Sequence, residues 1–187
     1  MAFHFAARRL AGSVVHVLFL GLMFHGAGSI ADAQTSAPEI PRVRSTDPTI
    51  RGLIDKAAKL SSTFRQLIET INATNGIVYA DPGRCGHGVR ACLVLTVTVA
   101  GPNRLLRIVV DTRKTDCALI ASIGHELWHA IEVLREPSLT SDAALFFFYA
   151  REGRHGDRDG DPLGAWETQA AVKTGNAVRA ELPKSCL

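Results

Sequence analysis

The sequence predicts a single α+β domain. Three observations carry this expectation. Apolar residues recur at three-and-four spacing over 50–71, the signature of an amphipathic helix. Two stretches, 93–99 and 105–111, are rich in β-branched residues, and the first alternates with period two. Long helical patterns then return over 117–135, 142–152 and 161–182. A run of strands between helices suits a small sheet packed against helices rather than an alternating parallel α/β fold.

Taken in order, residues 1–33 read as a secretory signal peptide. Arg8 and Arg9 precede an apolar run over 14–24, and Ala31-Asp32-Ala33 has the small-x-small form of a cleavage site. His16 and His25 interrupt the stretch, so a membrane anchor, which needs about 20 apolar residues, is the weaker reading. The expected location is therefore secreted or periplasmic, with membrane contact only if the segment stays uncleaved. Residues 34–46, with Pro38 and Pro41, read as an extended arm, and 47–187 as the folded domain. Asp47-Pro48 is an N-cap followed by a first-turn proline. It opens one helix carrying Ile50, Leu53, Ile54, Ala57, Phe64, Leu67 and Ile71, ended by Asn75-Gly76.

A small antiparallel sheet is expected next, from strands near 77–80, 93–99 and 105–111, with a Gly-Pro-Asn turn at 101–103. Thr115 or Asp116 caps a helix over 117–135 that is apolar nearly all round, which marks it as buried. Ser141 caps the next, whose Phe146, Phe147 and Phe148 read as core. Asp161-Pro162 opens the last helix, which runs to Leu182 before Pro183.

Composition limits the function. At 187 residues, 47% hydrophobic and 21% charged, the chain is too apolar to be disordered and suits one domain. A formal charge of only +3 and 6% aromatic residues argue against a nucleic-acid binder, which needs a basic stripe or stacking platform. All four cysteines lie beyond the leader, and an even count in an exported chain favours disulfides. Three pairings are open; Cys85 with Cys92 closes the shortest loop and would leave Cys117 for Cys186. A zinc cluster of Cys85, His87 and Cys92 has no common structural spacing. The acids Asp157, Asp159 and Asp161 read as a solvated turn, because Pro162 stands where a calcium loop needs glycine.

The informative segment is His125-Glu126-Leu127-Trp128-His129, an HExxH motif on the buried helix. At about 100° per residue, the two histidines are one turn apart on one face, so both imidazoles reach a single Zn²⁺. Glu126 is rotated away from that ligand position and suits the role of base toward a water. Two imidazoles in so apolar a helix need partners, and a metal supplies them.

A third ligand is required. The extended HExxHxxGxxH pattern is closed, because Glu132 and Arg135 occupy its glycine and histidine places. Glu132 lies a turn further along the same helix and is read as a carboxylate supporting the ligands rather than as a ligand. Glu167, placed early in the last helix, is the best candidate.

In these residues the chain resembles the zincin metallopeptidases, specifically the gluzincin type, in which two HExxH histidines and a downstream glutamate hold zinc. The likeness spans roughly 47–182 and includes the element order: helix, small sheet, HExxH helix, glutamate helix. It implies a zincin-like fold with His125, His129 and Glu167 as zinc ligands, and Glu126 as general base and proton shuttle in hydrolysis of a peptide or protein substrate. Many gluzincins carry an acid four residues after the glutamate ligand, where this chain has Ala171. Glu132 and Asp142 are the alternatives for orienting a ligand imidazole.

For stabilising an oxyanion, Tyr149 and His155 are the nameable donors, although Tyr149 reads better as core and His155 equally well as a surface residue. In zincins an edge strand pairs with extended substrate, a role open to the strand near 92–99 or that at 105–111. Arg104 and Arg107 read as solvated strand positions. The alternative to an enzyme is a non-catalytic, zinc-stabilised binding domain that keeps the zincin frame.

Overall fold

A computed structural model describes residues 40–86, 88–152, 154–155 and 166–183. The expected leader, the first part of the arm, the acidic 157–161 turn and Cys186 lie outside the described residues. The described elements belong to one compact unit, Glu39–Leu187.

The arm's last residues are not merely extended: Val43–Arg44 forms strand β1, and Val43 is buried. Asp47 then caps α1 (Pro48–Leu60), its Oδ1 accepting from the Ile50 N–H at 2.9 Å. The single helix expected over 47–75 is two. Ser61 adopts an extended conformation, ends α1 and caps α2 (Ser62–Asn72), its Oγ accepting from the Phe64 N–H at 3.0 Å. The apolar repeat continues through this break, so periodicity alone does not register it. The cause is the Ser61-Ser62-Thr63 run, whose hydroxyls favour caps over helix interior. The Glu181 carboxylate, remote in sequence, accepts from all three hydroxyls and from the Thr63 N–H.

The sheet is mixed rather than antiparallel. Its order is β1–β2–β5–β3, with β4 also on β5. Strands β2 (Gly76–Pro82) and β5 (Asn103–Val110) run parallel from Gly76↔Arg104 to Pro82↔Val110, and β1 runs parallel to β2. Strands β3 (Ala91–Leu93) and β4 (Thr98–Ala100) lie antiparallel to β5. The turn at 101–103 makes the expected hairpin, but β2 pairs with the opposite edge of β5. This places the apolar strand with Leu106, Ile108 and Val110, all buried, in the middle of the sheet. The expected continuous strand over 93–99 is broken between β3 and β4, where the Val97 N–H turns aside to donate to Asp142 Oδ1 at 3.0 Å.

Helix α3 (Cys117–Arg135) is capped by Asp116 and is the spine of the core, burying Leu119, Ile120, Ile123, Leu127 and Ile131. It lies against β3 and β5, and against α5 (Gln169–Glu181). Helices α3 and α5 approach closely because Gly124 and Gly175 face the contact. A Cβ on Gly175 would sit 3.1 Å from the His125 Cβ, and one on Gly124 would sit 2.9 Å from Val178 Cγ2. Helix α4 (Asp142–Glu152) buries only Leu145 and Tyr149, one turn apart. Phe146 and Phe147, expected in the core, are on the other face, and Phe147 is 69% exposed.

The last helix starts later than Asp161-Pro162 suggested. Trp166–Glu167 is strand β7, paired antiparallel with β6 (Arg154–His155), and Thr168 caps α5 by accepting from the Ala171 N–H.

Arg104 is also not a solvated position: it is 4% exposed. Its guanidinium donates to the carbonyls of Val133, Leu134 and Glu136 and to Asn75 Oδ1, closing the C-terminal end of α3. Arg107, by contrast, is solvated and pairs with Asp81.

Disulfide Cys85–Cys92 is present and ties the loop after β2 to β3. Cys117 is disulfide-bonded as well, while the expected partner, Cys186, lies outside the described residues. Among the described residues, no helix is long and apolar enough to cross a membrane. The disulfide fits an oxidising, extracellular compartment.

Candidate metal centre

Three elements bring the candidate residues together. Helix α3 supplies His125, Glu126 and His129, β7 supplies Glu167, and the edge strand β3 closes on Glu126. One potential ligand atom from each of His125, His129 and Glu167 lies within 4.8 Å of the other two, so the group can hold a metal ion. The two Nε2 atoms are 3.1 Å apart, and His125 Nε2 is 3.1 Å from Glu167 Oε2. Zinc–ligand bonds of about 2.0–2.1 Å in a tetrahedron put neighbouring donors about 3.3 Å apart, and these two separations suit such an ion. Glu167 takes its place from the end of β7 rather than from the first turn of a helix. The Thr168 cap that follows it begins α5.

The tautomer of His129 is set by a neighbour. Its Nδ1 is 2.8 Å from Glu132 Oε2, and an ionised carboxylate can only accept, so Nδ1 carries the proton and the Nε2 lone pair faces the metal point. Glu132 Oε1 also accepts from Trp128 Nε1 at 2.8 Å and from Thr168 Oγ1 at 2.6 Å. One carboxylate thus ties His129 of α3 to the cap beside Glu167. Burial pushes the Glu132 pKa up, but the bonds from His129, Thr168 and Trp128 outweigh it and hold the group below its ordinary range. Of the two proposed orienting acids, Glu132 meets the His129 imidazole. Asp142 instead accepts from the Val97 N–H.

Glu126 is 8% exposed and its two oxygens are divided. Oε2 accepts from the Leu93 N–H of β3 at 2.8 Å, while Oε1 is 3.9 Å from His125 Nε2. Burial raises its pKa, against the opposing pull of both imidazoles and the Leu93 N–H. His125 behaves in the opposite sense. Burial disfavours its charge, but the Glu167, Glu126 and Glu132 carboxylates together lift its pKa above the ordinary value. The site is therefore rich in negative charge that a cation would neutralise.

Tyr149 is not aimed at the cleft: its hydroxyl donates to the His129 carbonyl at 3.0 Å, and its ring stacks edge-on to that imidazole. Burial pushes its pKa far above the ordinary range, so it acts as a neutral strut. The side chain of His155 lies outside the described residues.

A cleft of about 270 Å³ opens beside the group, walled by Gly88–Ala91 on one side and by Val172, Asn176 and Arg179 on the other. His125, Glu126 and Glu167 reach it directly. The anchoring of Glu126 by Leu93 and the service of Thr168 to Glu132 were not visible in the sequence. The second had a signal, since Thr168 precedes a helix-forming run as a cap does. The first had none, because a backbone N–H carries no residue identity. No protein family, curated protein or solved structure matches this chain.

Proposed function

We propose that this chain is an exported, zinc-dependent peptidase of zincin-like, gluzincin type, with His125, His129 and Glu167 as the zinc ligands and Glu126 as general base. The observation that carries the reading is the division of the Glu126 carboxylate: one oxygen pinned by β3, the other turned to the ligand group beside an open cleft. Zinc held by the three ligands supplies Lewis acidity toward a water and a scissile carbonyl. The protein's own residues do the rest. The raised pKa of Glu126 suits a base that accepts a proton from the attacking water at Oε1 and returns it to the leaving amine. Glu132 keeps His129 in the ligating tautomer. The strand β3, at the end of the sheet and with Ala91 lining the cleft, is the edge on which an extended peptide would add. Strand β5 is interior and has no edge to offer.

The test uses purified protein freed of its leader. It should hold one zinc per chain, lost on His129→Ala, and should cleave unstructured casein in a chelator-sensitive way. Glu126→Gln should retain zinc and lose cleavage by at least about a hundredfold. Zinc binding without cleavage in the unaltered chain, across a broad peptide pool, would favour the non-catalytic zinc-stabilised domain instead.

A further inference from the structure

The cleft is electrically lopsided. Among the residues that line it, the acids are Glu167, in the metal group, and Glu126 beside it. The remaining charged lining residues are Arg90 and Arg179. Arg179 stands exposed on α5, and among the described residues no carboxylate pairs with it. Arg90 is fixed in place: its Nη1 is 3.3 Å from Asp116 Oδ1, and Nη2 donates to the Lys114 carbonyl. Asp116 does not cancel this charge. It is shared with Lys114 Nζ at 3.1 Å and caps the N-terminus of α3 through the Leu119 N–H. Arg90 and Lys114 thus share one carboxylate at the positive end of a long helix.

This cationic end and the metal group are separated along α3. Asp116 precedes His125 by nine residues, about 13 Å of helix. An extended peptide covers that distance in about four residues. A substrate seated over Glu126 therefore places its main chain within reach of two guanidiniums, which recognise carboxylates by charge and by paired hydrogen bonds.

We propose that Arg179 and Arg90 form a carboxylate-binding subsite, so that the chain cleaves peptides within about four residues of a carboxylate. That carboxylate is either an Asp or Glu side chain or a free peptide C-terminus. The inference rests on the peptidase reading above and adds a substrate class to it.

The zinc-loaded chain is given three pools of randomised decapeptides. One has amidated ends and fixed internal glutamates, the second is the same with glutamine, and the third is the glutamine pool with free C-termini. Cut sites are read by mass spectrometry. Preference for the glutamate pool by about five- to tenfold in kcat/KM identifies side-chain recognition. The same preference for the free-ended pool, with cuts near its end, identifies the C-terminus. Arg179→Glu should erase the preference or turn it toward lysine, whereas Lys173→Glu on the same helix should leave the cut profile unaltered. Equal cleavage of all three pools, or an unaltered profile in Arg179→Glu, overturns the subsite while leaving the peptidase reading intact.

If no pool is cut, the peptidase reading fails and binding decides the subsite. Zinc-loaded Glu126→Gln is titrated with fluorescein-labelled decapeptides, glutamate-rich and glutamine-rich, by anisotropy. About fivefold tighter binding of the glutamate peptide, lost in the added Arg179→Glu change, supports the carboxylate subsite. Equal binding refutes it.

Discussion

Replacing Glu132 with glutamine should separate metal affinity from stability. The native carboxylate accepts three bonds: Trp128 Nε1 and Thr168 Oγ1 on one oxygen, His129 Nδ1 on the other. A glutamine amide has one accepting and one donating end. Turning its oxygen toward Trp128 and Thr168 keeps two of these bonds, and the reverse orientation would set the amide donors against the indole N–H. The retained orientation presents N–H to His129 Nδ1, which must then accept. The imidazole proton moves to Nε2, the atom that faces His125 Nε2 at 3.1 Å.

That tautomer cannot ligate through Nε2, so zinc affinity should fall about 10–100-fold, or about 1.4–2.7 kcal/mol. The metal-free fold should lose less than about 1 kcal/mol, because the bond count is kept. Glu132→Ala, which removes all three acceptors, should lose both metal affinity and about 2 kcal/mol of stability. Competition against a chromophoric zinc chelator gives the affinity, and urea denaturation of the metal-free protein gives the stability. Zinc binding by Glu132→Gln within twofold of the unaltered chain would refute the tautomer argument.

Three further outcomes are expected. Arg104→Met should cost about 3 kcal/mol in urea denaturation, since it leaves the carbonyls of Val133, Leu134 and Glu136 without their donor; an unmoved midpoint would contradict the capping role. Hydroxyl and N–H donors from Ser61, Ser62 and Thr63 outweigh partial burial and pull the Glu181 pKa down to about 2. A depressed carboxyl pKa stabilises above the unfolded value of about 4.3 and loses that contribution as pH falls toward 2. The penalty of Glu181→Gln, about 1 kcal/mol or less for so exposed a group, should thus be present at pH 6 and shrink by pH 2.5, and a constant penalty would count against it. Gly175→Ala sets a methyl 3.1 Å from the His125 Cβ; the helix-propensity gain of about 1 kcal/mol should offset the crowding in the melt, while zinc affinity drops severalfold as α5 and His125 shift apart, and unaltered affinity would show that the contact relaxes freely.

Local rules carried the sequence reading where neighbours in the chain decide the outcome. The bounds of α3 and α4 follow from Asp116, Ser141 and Pro137, and the facing of His125 and His129 follows from helical periodicity alone. The reading failed where a distant partner intervened. The Ser61 cap is bound by the distant Glu181, and β2 runs parallel to β5, a strand much further along the chain. The burial of Arg104 depends on the exposed carbonyls at the end of α3. Two of the three phenylalanines in α4, Phe146 and Phe147, misled for a related reason. Composition marks a helix as apolar, but which face is covered depends on what packs against it: Leu145 and Tyr149 are buried, Ala144 and Phe148 pack partly against the core, and Phe146 and Phe147 are exposed.

By itself the sequence determined which atoms were on offer: two imidazoles one turn apart, a carboxylate between them, and a later Glu167, because each follows from short-range geometry or from residue identity. Only the tertiary structure decided that Glu167 converges with the imidazoles, that Leu93 pins Glu126, and that Glu132 sets the tautomer of His129. The first two contacts join segments far apart in the chain, and the third is held by Thr168, 36 residues beyond Glu132. Their geometry comes from the glycine-lined crossing of α3 and α5 and from the register of a mixed sheet, and neither is written in any local stretch of residues.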